Sequence, residues 1–401
     1  MRPFQSTIPL ADAQEIIAAA VVPLARTERV ALRDARGRVL AETVIAAADV
    51  PPFARAAMDG YAVRAEDVKG ATRDRPVVLR CVEQVYTGQM PVQVVARGLC
   101  SEVATGAPMP EGADAVVIVE DTDASGQDIR MFAPVAPGQN VGRRGQDICE
   151  GQTVLDAGMV LTTNRVGAVA ALGRTEMVVH ARPRVAILST GNEVVAPGEP
   201  LAPGQIYDIN GTTLAAIVAE HGGVPVVHRT AVDTIEDLSR AVDDCLAEDV
   251  LVFSGGSSVG TRDLMLDVIR AKGEVLFHGI AVKPGKPTAF GRIGGKLAFG
   301  MPGYPTSCLT NAYVLLVPVL RRLGHLPEQS ARVERMPLAA RVTSTPDRHQ
   351  FYTVRIEQGR AQPAFKASGD ITSMSQADGY IEIPAGTAVV DAGALVDVKL
   401  F

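Results

Sequence analysis

The stretch "DVLVFSGGSSVGTRD", residues 249–263, sets how the rest of the chain is read. An apolar run feeds a Gly/Ser turn, and an aspartate, Asp263, follows where a helix is expected to begin. Outward from it the same alternation repeats. "RVAILSTG" (184–191), "VPVVHRTAV" (224–232) and "DVLVFSGG" (249–256) have the length and β-branched content of strands. Helical patterns follow at 211–221, entered through Asn210, at 235–247 and at 262–272. A hairpin (288–300) and a helix after "MPGYP" close the segment. Near-continuous apolar strands alternating with helices predict a doubly wound α/β domain over 178–327, with a parallel sheet covered on both faces.

The flanks differ in texture. Spacing of Ile8, Ala11, Ile16, Ala19 and Val22 predicts a helix over 8–25. Residues 46–141 read as a β-rich insert of short runs, such as "PVVLRCVEQV" and "ADAVVIVEDT", punctuated by Gly/Pro turns. Residues 142–177 read as a ribbon and helix that join residues 1–45 in one helical/ribbon domain. The tail, 328–401, is β-rich and reads as a small barrel-like or sandwich domain. The fold class is multi-domain α/β plus all-β.

Composition bounds the function. The 401 residues carry a net charge of −6 without a Lys/Arg block, which argues against nucleic acid as a partner. Any anionic ligand therefore needs a local basic cluster. There is no tryptophan and only seven tyrosines and ten phenylalanines, so stacking platforms are scarce. Five cysteines lie far apart without a C-x-x-C, which fits reduced thiols better than a disulfide framework or a zinc site. No apolar run approaches the roughly 20 residues of a membrane span, and the start lacks the basic-then-apolar pattern of a signal peptide. A cytoplasmic protein, with no membrane partner, is expected.

The opening turn is compatible with several chemistries. As a P-loop it fails, since Thr261-Arg262 stands where Lys-Ser/Thr is required. No G-x-G-x-x-G can be aligned either. Gly256-Ser257-Ser258-Val259-Gly260 does match the nucleophile elbow G-x-S-x-G, with Ser258 as nucleophile. A serine hydrolase would also need an oxyanion loop and a placed histidine, and neither is evident. The remaining reading is an anion cradle of turn N–H groups and Ser hydroxyls at a helix start. Asp263 either caps that helix or holds a divalent cation bridged to phosphate oxygens.

"VKPGKP", 282–287, supplies the basic cluster. The prolines keep Lys283 and Lys286 out of helical geometry and stiffen the turn, which lowers the ordering cost of binding. Charge-assisted contacts from such lysines to an oxyanion are worth roughly 1.5–3 kcal/mol each.

Seven motifs occur in order: "PPFARAAMDGYAV" (51–63), "TGAPMPEGADAVV" (105–117), "ILSTGNEVV" (187–195), "YDINGTTL" (207–214), "GGSSVGTRD" (255–263), "KPGKP" (283–287) and "GMPGYPTSC" (300–308). Together they resemble the molybdopterin molybdenumtransferases, the MoeA/gephyrin family, over essentially the whole chain. The resemblance implies a four-part subunit, a homodimer, and an α/β part similar to molybdopterin adenylyltransferase. It also implies the last step of molybdenum cofactor synthesis, in which adenylylated molybdopterin, molybdate and Mg²⁺ give the cofactor and AMP. Molybdopterin adenylyltransferase and recipient molybdoenzymes are the protein partners it implies.

Residue by residue, the resemblance assigns Gly255, Gly256, Ser257 and Ser258 to a cradle for pterin or phosphate. Asp263, Asp233 and Glu193 would hold the cation, with Asp208 positioning the nucleotide. Lys283 and Lys286 would bind molybdate and neutralise charge on the leaving phosphate. Asp59, Thr105 and Gly106 would be brought in across the dimer interface, Arg348 and Ser373 would contact the oxyanion, and Pro302 would shape the pocket. Plainer roles stand beside these. Asp59 can stabilise the "MDGY" turn, Glu193 and Asp208 can be caps or turn acids, and Met58 and Tyr61 can be packing residues. The chain departs from the family at Ala56-Ala57 (for Ser-Ala), Tyr304 (for Asn), Thr353 (for Arg) and Asp378 (for Asn). Tyr304 for Asn and Thr353 for Arg can each weaken binding by a few kcal/mol or alter the oxyanion preference, as toward tungstate. A non-catalytic cofactor-binding or scaffold paralogue is the main rival, and a serine hydrolase using Ser258 the distant one.

Overall fold

The computed structural model describes residues 7–228, 234–255 and 264–401. Two compact units emerge: one comprises Met1–Glu28, Gly37–Val39 and Val179–Phe401, the other Arg29–Arg36 and Leu40–Val178.

The larger unit is built on a six-stranded sheet ordered Val224–Val227, Arg184–Ser189, Val250–Ser254, Lys296–Met301, Ala289–Ile293, Gly273–His278. The first four strands are parallel, and Ala289–Ile293 runs antiparallel to both of its neighbours. Alternate side chains explain the unbroken apolar strands. Val185, Ile187, Val250 and Val252 face one core with Leu214, Ile217 and Leu315. Ala186, Leu188, Leu251 and Phe253 face the other with Leu238, Val242 and Ile269. Helices thus cover both faces, as the alternating pattern predicts.

The first helix spans Leu10–Ala20 and packs in the core of this unit. Its buried stripe is Ala13, Ile17 and Ala20, while Ala11, Ala19 and Val22 are exposed. An alanine-rich helix offers two nearly equivalent stripes, and the uncovered sheet face selects between them. Arg292 and Arg322 then donate to the carbonyls of Ala20 and Ala18 at 3.1 and 2.9 Å, satisfying open groups at the helix end.

The tail forms a second sheet in the same unit, ordered Val282–Lys283, His349–Glu357, Gly379–Ile383, Leu395–Leu400, Val333–Pro337, with Arg360–Pro363 added to His349–Glu357. The lysine turn therefore contributes its edge strand, with Lys283 opposite Gln350.

The smaller unit holds a six-stranded sheet, Ala115–Ile118, Gly60–Val63, Leu99–Val103, Val77–Val85, Asp128–Met131, Thr122–Ser125, antiparallel except where Val77–Val85 meets Leu99–Val103. Tyr61 is buried in its core, whereas Met58 is exposed and packs nowhere in that core. No helix among the described residues is long and apolar enough to cross a membrane.

Candidate functional site

Ser189, Ser254 and Met301 stand in register at the carboxyl ends of three parallel strands, where open α/β sheets bind ligands. Gly255 continues the central strand at φ +102°, and a Cβ there would lie 2.3 Å from the Thr190 carbonyl oxygen. Only glycine fits, because Thr190 N–H donates to Ser254 O at 2.8 Å and fixes the two turns together. Gly303 packs against it, with its Cβ position 3.6 Å from Gly255 Cα. Gly256, Ser257, Ser258 and Asp263, and also Asp233, lie outside the described residues.

Asp208 caps the helix Ile209–Glu220, so the helix is entered through Asp208 and not Asn210. Its carboxylate accepts from Gly211 N–H at 2.7 Å and from the Ser189 hydroxyl at 2.5 Å. Asn210 instead donates to Gly303 O at 2.8 Å and ties the helix start to the "MPGYP" turn. Glu193 is exposed at the same edge, and buried Pro302 backs the turn that carries Gly303. Among the described residues no three His, Cys, Asp or Glu side chains gather as a metal cluster.

The lysine turn meets this edge because Ala289 pairs antiparallel with Gly300. That register places residues 284–288 where Met301 leaves the sheet. The Lys283–Pro284 peptide bond is cis. Lys283 Nζ donates to Thr345 Oγ1 at 3.0 Å, and the Lys286 carbonyl accepts from Ile280 and Thr288 N–H at 3.0 and 2.9 Å. Gly285, at φ +103°, lies so close to Asn311 that a Cβ would be 2.3 Å from its Nδ2. Asn311 donates to Gly285 O at 2.8 Å and to Thr288 Oγ1 at 2.6 Å. A lone amide in the apolar run "LTNAYVLL" was the signal for this buried anchor, which sequence reading missed.

Arg348 is half-buried beside Asp347 (3.4 Å), and its N–H donates to Thr345 O, so it shares a loop with the partner of Lys283. Ser373 is fully buried, and its hydroxyl accepts from Lys366 N–H at 2.9 Å. It braces the 366–374 loop, which is pinned to the neighbouring helix by Thr306 through Ser368 O and Asp370 O.

Of the departures, Thr353 is buried, and its hydroxyl finds no partner among the described residues. Asp378 accepts from Ile356 N–H at 2.7 Å and shapes the sheet edge. Tyr304 is 68% exposed. Ala56 is buried in a core of the smaller unit, while Ala57 is exposed.

In the smaller unit Asp59 is exposed, and its Oδ1 accepts from Thr105 N–H at 2.6 Å and Thr105 Oγ1 at 2.8 Å. These bonds hold the carboxyl below its usual range. Gly106 N–H donates to Ala56 O at 2.8 Å. Thr105, Gly106, Arg55, Ala56 and Ala57 line an open groove of about 650 Å³.

Comparison with known proteins gives one answer along the chain. Residues 8–173 match the MoeA N-terminal region (domain I and II). Residues 186–322 match a probable molybdopterin binding domain, and residues 335–401 the MoeA C-terminal region (domain IV). Molybdopterin molybdenumtransferase 2 of Mycobacterium tuberculosis is 34% identical over 392 residues, covering 95% of this chain and 97% of that one. A molybdopterin molybdenumtransferase of Staphylococcus aureus is 27% identical over 378 residues, 92% of this chain and 90% of its own. The crystal structure of a molybdopterin biosynthesis MoeA protein from Pyrococcus horikosii superposes with TM-score 0.86 at 40% identity, over 98% of this chain and 99% of that one. With three family models in order along the chain and relatives matching nearly its whole length, this chain belongs to the MoeA family of molybdopterin molybdenumtransferases.

Proposed function

We infer that this chain is the transferase that inserts molybdenum into adenylylated molybdopterin, releasing AMP and the molybdenum cofactor. The observation that carries the reading is the Asn311-anchored lysine turn at the same carboxyl edge that carries Gly255. Fixed cations there favour the charge that builds on the leaving phosphate over the ground state, and the turn already holds its shape before substrate arrives. Molybdate is the substrate oxyanion, with Lys283, Lys286 and Arg348 as its attracting groups. Ser373 acts behind them, through the loop it braces.

Mg²⁺ is part of the proposal. Glu193 offers an exposed carboxylate at the edge, and hard cations prefer such oxygens, whereas both oxygens of Asp208 are engaged by Gly211 and Ser189. Glu193 with Asp233 and Asp263 would hold the ion, which when bound neutralises phosphate charge. Gly256, Ser257 and Ser258 would extend the cradle begun by Gly255. We further propose a homodimer in which Asp59, Thr105 and Gly106 serve the partner's site, a four-part subunit with divisions near 45, 141, 177 and 327, and exchange of cofactor with adenylyltransferase and recipient molybdoenzymes. Five free cysteines, three of them buried, are compatible with a cytoplasmic setting.

Titration of AMP release from adenylylated molybdopterin against molybdate and tungstate tests the reading. A saturable, oxyanion-dependent rise is expected. A folded protein that binds molybdopterin yet releases no AMP would instead be the non-catalytic binder. Labelling of Ser258 by a fluorophosphonate would point to a hydrolase.

A further inference from the structure

Tyr304 occupies the position where the family resemblance places an asparagine, and at 68% it is the most exposed aromatic side chain among the described residues. A single exposed ring is ordinary on a protein surface, so exposure alone carries nothing. Its mounting is what distinguishes it. The residue before it, Gly303, is held by the Asn210 side chain at 2.8 Å and packs on Gly255 Cα. Its own carbonyl accepts from Cys308 N–H at 2.9 Å. On the far side the ring lies beside Gly369, where a Cβ would stand at ordinary contact distance, 3.8 Å from Cδ1. The Gly369 loop is itself fixed by Thr306 through Ser368 O and Asp370 O.

The backbone under Tyr304 is thus pinned from three directions, at the ligand-binding edge of the sheet, in a chain poor in aromatic residues. A Tyr side chain has two χ angles to restrict, so a planar contact there is made at low entropic cost.

We propose that Tyr304 is a substrate-binding residue that stacks on a planar heteroaromatic ring of the adenylylated pterin. The proposal rests on the transferase reading above. The adenine and the pterin share the required flat π-face, and each is an arm of the test. What an amide gives to polar groups at this position, the ring replaces with a flat apolar surface and a terminal hydroxyl.

The chain has no tryptophan, so Tyr304→Trp introduces a single reporter at the position in question. Its emission is expected to be quenched saturably on titration with AMP if the adenine is the partner, or with molybdopterin if the pterin is. In equilibrium binding, Tyr304→Leu is expected to weaken that same ligand by about five- to a hundredfold, the span for loss of one base–aromatic stack. Tyr304→Phe should bind within about twofold of the parent, because the ring is retained. Melting temperatures should be unchanged, since the side chain is exposed. Emission indifferent to saturating AMP and molybdopterin alike, or Tyr304→Leu binding both like the parent, overturns the inference. None of these measurements needs turnover. Loss of the stack with molybdate-dependent AMP release intact in the parent therefore removes only this inference. A parent that turns nothing over, with the quench present, removes only the transferase reading.

Discussion

The Asn311 amide spans Gly285 O and Thr288 Oγ1, so one buried side chain holds both ends of the turn between Lys283 and Thr288. Thr288 Oγ1 closes the loop by donating to Gly285 O at 2.9 Å. Asn311→Leu removes one of the two donors to the Gly285 carbonyl and the donor to Thr288 Oγ1, a cost of about 0.5–1.5 kcal/mol per bond. A lower melting temperature and a larger loss in oxyanion-dependent AMP release are expected together, measured by calorimetry and product assay. A variant as stable as the parent would show that the amide does not hold the turn.

Lys286→Ala is expected to lower molybdate-dependent AMP release by roughly two to three orders of magnitude, the scale of losing one fixed electrostatic stabiliser. Lys286→Arg should recover little of it, since a planar fork does not replace an aimed ammonium group. The loss should appear in kcat as well as in KM for molybdate. Turnover left intact would remove Lys286 from the reaction.

Gly255→Ala places a methyl group against the Thr190 carbonyl at a positive φ, so strain arises from both space and backbone. Because Thr190 N–H is tied to Ser254 O, neither turn can yield alone. We expect destabilisation of about 1 kcal/mol or more and loss of AMP binding. Calorimetry with AMP gives the second quantity directly, and normal affinity would count against a cradle at Gly255.

Asp59 titrates below the usual carboxylate range because Thr105 N–H, and then the Thr105 hydroxyl, bond its ionised form. A carboxylate depressed in the folded state adds stability that is full above its unfolded pKa and fades as pH falls through the folded value. The window lies below about pH 3.9, so Asp59 stays ionised throughout the neutral range. Thr105→Val keeps the backbone bond and removes the hydroxyl, so the midpoint should rise part of the way. Carboxyl-carbon NMR follows it, and an unmoved midpoint would mean the hydroxyl contributes nothing.

Mixing Asp59→Asn and Asp263→Asn proteins should restore part of the activity that each lacks, because some heterodimers then hold one intact site. Subunit exchange is verified with differently tagged chains before assay. No recovery after exchange would argue for sites made within one subunit.

Period and composition made the doubly wound sheet legible, because strands buried on both faces must be apolar throughout and helices between them must be striped. Glycine at 255 and 285 was legible as turn chemistry, and the paired prolines as stiffness around the lysines. Local signals reached no further than local structure. The placement of the Leu10–Ala20 helix on the α/β sheet was decided by an uncovered apolar face supplied by distant residues. Asp208 was selected over Asn210 as cap because Ser189, on another strand, bonds its second oxygen. Asn311 became an anchor only when its helix met a turn 26 residues earlier in the chain. Ser373 braces a loop because the chain brings Lys366 N–H within 2.9 Å of its hydroxyl, a fact no spacing records. Residue type limits which hydrogen bonds are possible, but which of them form depends on long-range packing that brings unlike segments to one edge.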